Sequence, residues 1–84
     1  MDSRKERERL NADLRAVLRA ARDQAGLTQE QLAKRLGWKK RTVVSLEHGT
    51  KAIHAVDIVM IGRACGIQNS ETLFRRWLRW GERN

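Results

Sequence analysis

The run from Leu27 to Gly49, LTQEQLAKRLGWKKRTVVSLEHG, constrains this chain more than any other part of it. Gly26, just before it, ends a preceding helix, because glycine takes the left-handed cap without steric cost. Thr28 and Gln31 stand at the spacing of a capping box, in which each side chain satisfies the other residue's backbone N–H. Leu32, Ala33 and Leu36 supply an apolar stripe at helical spacing. Gly37 permits a sharp reversal, and Val43 with Leu46 gives a second helix its inward edge. That helix opens on three consecutive cations, Lys39, Lys40 and Arg41. The run therefore predicts two short helices about a tight turn, with a cationic start to the second.

Composition sets the surroundings. Eighty-four residues with 40% hydrophobic content suit one domain over 1–84, near the lower size at which a core holds alone. The absence of proline and a count of only six glycines favour an all-α fold. Eighteen Lys and Arg against ten Asp and Glu give a net charge of +8, the balance of a polyanion binder. A single cysteine, Cys65, cannot form an internal disulfide and fits a reducing cytoplasm. No apolar run approaches the roughly 20 residues of a membrane span, and no apolar segment follows the charged N-terminus for export. Ser45, His48, His54 and Cys65 make neither a nucleophile–base set nor a zinc spacing, so the sequence predicts no enzyme, metal or cofactor.

Around the central run, residues 1–9 are almost wholly charged with alternating sign. They read as a solvated extension of helix 1, with Arg4 and Glu8 at pairing distance, or as a basic arm along a polyanion. Leu10, Leu14, Val17, Leu18, Ala21 and Ala25 fall on one face of a helix ending near Ala25. Helix 4 is expected over about Ala55 to Cys65, burying Val56, Ile58, Val59, Ile61 and Ala64. Gly62 inside it costs about 1 kcal/mol of helix propensity and marks a close helix–helix approach. Ser70 and Glu71 begin helix 5, expected to end near Trp80. Five helices in one domain result.

The central run resembles the DNA-binding domain of Cro/repressor-type (XRE-type) regulators. Their usual pattern is L-T-Q-x-x-L-A-x-x-L-G followed by apolar-x-x-apolar-E-x-G. Leu27, Thr28, Gln29, Leu32, Ala33, Leu36 and Gly37 match its first part, and Val43, Leu46, Glu47 and Gly49 its second. Cys65-Gly66-Ile67 continues the likeness where the family has Leu-Gly-Val, so the resemblance spans roughly residues 10 to 78. Ile53-His54 departs from it where a proline is usual, and Trp38 is larger than the family's residue. The resemblance implies a compact five-helix, lambda-repressor-like domain with its helix-turn-helix at helices 2 and 3. The controller proteins of restriction–modification systems and phage Cro-like repressors are the subtypes nearest in length.

Residue roles follow. With Val43 and Leu46 inward, Lys40, Arg41, Val44 and Ser45 point outward, and in similar regulators these positions read base edges. Arg or Lys suits guanine O6 and N7, and a valine methyl suits thymine. Gln29, at the start of helix 2, fits a phosphate by the exposed N–H groups there, and the resemblance gives it, His48 and Lys51 phosphate contacts. Thr28 joins this group. Lys39, an unusual N-cap that opposes the helix dipole, serves a phosphate rather than its own helix. Thr42 serves a phosphate bond or local packing. In similar domains the match of Glu47 pairs with an arginine late in helix 1, here Arg22, as a structural pair. Trp38 packs in the core rather than stacking on bases.

Leu73, Phe74, Trp77, Leu78 and Trp80 form a broad apolar surface on helix 5, interleaved with Arg75, Arg76 and Arg79. Residues 70–80 are thus expected to carry a homodimer interface, which would space two reading helices roughly 34 Å apart on an inverted-repeat double-stranded DNA operator. A repressor or autoregulator is the first reading. An antitoxin-type helix-turn-helix protein, which binds a partner toxin and represses its own operon, is the second.

Overall fold

The computed structural model describes residues 2–83 and holds five α-helices in a body of 41 × 25 × 21 Å. They are α1 (Ser3–Gln24), α2 (Gln29–Leu36), α3 (Lys40–His48), α4 (Ala55–Ala64) and α5 (Ser70–Arg83), with no strand among the described residues. The all-α, five-helix expectation is met. Among the described residues no helix is long and apolar enough to cross a membrane.

The local signals act as the sequence implies. Asp2 caps α1 by accepting from the Arg4 backbone N–H at 3.0 Å, so the charged run forms the exposed first turns of that helix. Arg4 pairs with Asp2 at 3.7 Å rather than with Glu8. Thr28 Oγ1 accepts from the Gln31 N–H at 3.1 Å, and Gln31 Oε1 accepts from the Thr28 N–H at 2.8 Å. Gly37 closes α2 at φ +70°, a left-handed conformation that a side chain would strain.

The core gathers Leu14, Val17, Leu18 and Ala21 of α1, Leu32 and Ala33 of α2, Val43 and Leu46 of α3, Ile61 of α4 and Leu73 of α5. Trp38 is half-buried against it. Arg35 Nη1 donates to the Ala64 carbonyl at 2.9 Å, tying α2 to the end of α4. Gly62 lets α5 in: a Cβ there would stand 2.7 Å from Leu73 Cδ1.

Three expectations need correction. Val56 is 61% exposed rather than buried, because the phase of α4 turns it and Met60, one turn on, outward. α5 begins at Ser70, as expected, and Asn69 Oδ1 just before it accepts from the Glu71 N–H at 3.0 Å. The helix also runs to Arg83, past Trp80, because Gly81 allows close approach to α1: a Cβ there would meet Arg9 Nη1 at 3.0 Å. Finally, the apolar surface of α5 is narrower than expected. Leu73 is only 1% exposed and belongs to the core under Gly62. Trp77 and Trp80 are half-buried against that core, and Trp77 Nε1 donates to the Leu10 carbonyl at 2.7 Å. Phe74 and Leu78, at 52% and 58%, are what α5 leaves exposed.

Candidate nucleic-acid interface

One ion pair ties α3 to α1. Arg22, on α1 and only 7% exposed, donates from Nε to Glu47 Oε2 at 2.7 Å and from Nη2 to Oε1 at 3.0 Å. Its Nη1 donates to the Leu27 carbonyl at 2.8 Å, so one guanidinium holds α1, the start of the α2 segment and α3 together. Burial of such a group is tolerable because its donors are met by a carboxylate in fork geometry and by a carbonyl. The bond to Glu47 raises the Arg22 pKa and keeps the cation charged.

With Val43 and Leu46 fixed inward, Lys40, Arg41 and Val44 are exposed in a row on α3, and Ser45 is half-buried beside them. Lys39 caps α3 through its backbone, makes no side-chain cap bond, and leaves its ammonium in solvent. His48 is exposed in the last turn of the helix, and Lys51 is exposed just beyond it. Thr42 and Lys51 share a shallow groove of about 280 Å³ with Trp38 and Asp57. The Thr28 hydroxyl already accepts the Gln31 N–H, which leaves its proton for an outside acceptor. Glu47, the carboxylate on α3 itself, is engaged by Arg22.

Two features escaped sequence reasoning. Gln29 Nε2 donates to Glu47 Oε1 at 3.1 Å, so this amide is part of the same network before it meets any phosphate. Its second N–H remains for that purpose. Arg15 lies beneath the loop after α3: a Cβ on Gly49 would sit 3.3 Å from Arg15 Nε and 3.4 Å from Cζ. Gly49 itself is at φ +101°. Arg15 Nε is buried without a hydrogen-bond partner among the described residues, and the guanidinium stands where the C-terminal end of α3 favours a cation. Its only trace in the sequence is a spacing of seven from Arg22, which puts both on one stripe of α1.

The arrangement is that of a domain that offers a short, cation-led helix to a nucleic acid. The helix-turn-helix domain family matches residues 13–77. The chain is also 36% identical over 61 residues to a protein of Methanothermobacter thermautotrophicus (strain Delta H) named an uncharacterized HTH-type transcriptional regulator; the match covers 73% of this chain and 88% of that one. No solved structure matches at comparable stringency. The chain belongs to the XRE-type helix-turn-helix regulators, as its central run implies. It is a DNA-binding transcriptional regulator.

Proposed function

We propose that the chain is a cytoplasmic, homodimeric repressor or autoregulator that reads an inverted-repeat operator through the major groove. The observation that carries this reading is the exposed row Lys40, Arg41 and Val44, with half-buried Ser45 beside it, on a helix held to α1 by the Arg22–Glu47 pair. Lys40 or Arg41 takes a guanine edge in each half-site, and Val44 packs on a thymine methyl. Thr28, Gln29, Lys39, Thr42, His48 and Lys51 meet phosphates on either side, and Arg15 joins them beneath Gly49. Phe74 and Leu78, one turn apart on α5, supply the apolar contact between copies.

Selection of bound sequences from a random duplex pool tests the reading. An inverted repeat with half-sites about one helical turn apart is expected. Arg41→Ala or Lys40→Ala should then cost more on the selected site than on random DNA; equal losses would reduce both residues to phosphate contacts. Sedimentation of the wild type and of a Phe74→Ser/Leu78→Ser variant tests the pairing. A wild type that stays monomeric at micromolar concentration refutes the homodimer and leaves the same row to another protein, as the antitoxin-type reading requires.

A further inference from the structure

A second cluster of cations, apart from that on α3, lies on α5. Arg75, Arg76 and Arg79 line an open cavity of about 410 Å³ between α5 and α1, over a floor that includes Val17, Ala20 and Trp80. That volume lies within the ordinary range of small-molecule sites, about 300–1,000 Å³.

Little in the chain compensates these charges. Arg75 reaches Glu71 only at 4.0 Å, with both side chains more than two-thirds exposed (72% and 71%). Arg76 Nη1 donates to the neutral Gln24 amide oxygen at 3.2 Å. Arg79 meets no carboxylate within 4.0 Å among the described residues. Arg75 and Arg79 stand four apart on one helix, a spacing at which like charges repel.

The cavity also faces away from α3. Arg15 and Arg22 mark the side of α1 that holds α3, through Gly49 and Glu47. Val17 and Gln24 each follow one of them by two residues, which places them about 200° round the helix. A duplex docked on α3 is therefore separated from the arginines by the thickness of two helices, about 20 Å, against a screening length of about 8–10 Å at ordinary salt. The guanidiniums cannot serve that duplex.

We propose that the α1–α5 cavity binds a small polyanion, a phosphate ester or polycarboxylate, with an apolar body. Its anionic oxygens meet the fork donors of Arg76 and Arg79, and its apolar part lies on Ala20 and the Trp80 ring. The inference rests on the reading that α3 faces the DNA.

Titrations of the full chain with 1-naphthyl phosphate, naphthalene-1,4-dicarboxylate and inorganic phosphate, followed by amide and indole NMR shifts, test it. One or both naphthyl probes should shift Ala20, Gln24, Thr72, Arg76 and the Trp80 indole along a single saturating curve, at least tenfold tighter than inorganic phosphate. Which probe saturates first tells phosphate from carboxylate. Arg76→Gln/Arg79→Gln should weaken binding at least tenfold, and Lys40→Ala/Arg41→Ala should leave it unchanged. Shifts centred on residues 39–51, or non-saturating shifts alike in both variants, would overturn the proposal. So would an Arg76→Gln/Arg79→Gln variant whose duplex affinity loses salt dependence, since each lost phosphate contact lowers the slope by about 0.9. Duplex binding by the Lys40→Ala/Arg41→Ala variant reports on the α3 reading separately.

Discussion

Glu47→Ala should be the most damaging single change on the helix-turn-helix, although Glu47 touches no nucleic acid in the proposed complex. The carboxylate receives Arg22 Nε at 2.7 Å, Arg22 Nη2 at 3.0 Å and Gln29 Nε2 at 3.1 Å. Its loss strands a guanidinium that is 7% exposed, with the Leu27 carbonyl and the exposed Asp23 as its remaining partners. Removing one member of a buried pair costs about 3–5 kcal/mol. Asp23, 3.2 Å away, compensates in part and sets the expectation near the low end, about 3 kcal/mol. A domain of this length holds about 4–13 kcal/mol in all, so the variant loses a quarter or more of its stability. In urea the midpoint should fall by about 3 M at an m-value of about 1 kcal/mol/M, and the melting temperature by about 12–24 °C. Measurement near 10 °C keeps the variant folded enough for a baseline. The partner experiment is Arg22→Met/Glu47→Leu, which removes both charges and should recover at least half of the loss. A Glu47→Ala loss under about 1 kcal/mol, or a double variant as unstable as the single, would refute the stranded-charge account.

Three further outcomes follow from particular contacts. Arg15→Gln should weaken duplex binding equally on selected and random DNA and lower the salt slope by about 0.9; an unchanged slope would make Arg15 a support for the end of α3 only. Gly62→Val should cost about 1–3 kcal/mol by driving a side chain against Leu73, and Leu73→Ala in the same chain should relieve part of it, whereas strictly additive losses in a double-mutant cycle would deny the contact. Burial pushes the Cys65 thiol above its ordinary 9.0, so the folded chain holds the proton more tightly than the unfolded one. The stability this gives is whole below about pH 9 and declines from there through the folded-state value. Melts from pH 8 to 10.5 should show a smaller alkaline decline in Cys65→Ala, and identical slopes would contradict the shift.

What could be read from residue order was what residue order decides. Thr28 and Gln31 satisfy each other across three residues, and Gly37 ends α2 through its own backbone, so neither needed a tertiary partner to be recognised. The inward edge Val43–Leu46 fixed the outward row by helical geometry alone. The Arg22–Glu47 pair spans 25 residues and was legible through family resemblance. The contacts of Arg15 with Gly49 and of Gln29 with Glu47 depend on how α1, α2 and α3 cross, which periodicity does not encode. Val56 shows the same limit: α4 is apolar on most sides, and its packing against α1, α2 and α5, with Leu73 seated on Gly62, settles which side turns inward.

The bond from the Trp77 indole to the Leu10 carbonyl bears on the order of assembly. It joins residues 67 apart, against 25 for Arg22–Glu47. Closing the longer loop costs about 0.9 kcal/mol more chain entropy, so the reading unit can nucleate first and α5 dock afterwards. During synthesis, residues 1–49 can gather while residues 70–83 have yet to be made, leaving the Leu10–Val17 side of α1 uncovered until those residues follow. The Phe74–Leu78 row is presented in its final orientation only after Leu73 and Trp77 are seated, so it marks a chain that has finished folding. Native-state amide exchange should find α5 opening at lower free energy than α3.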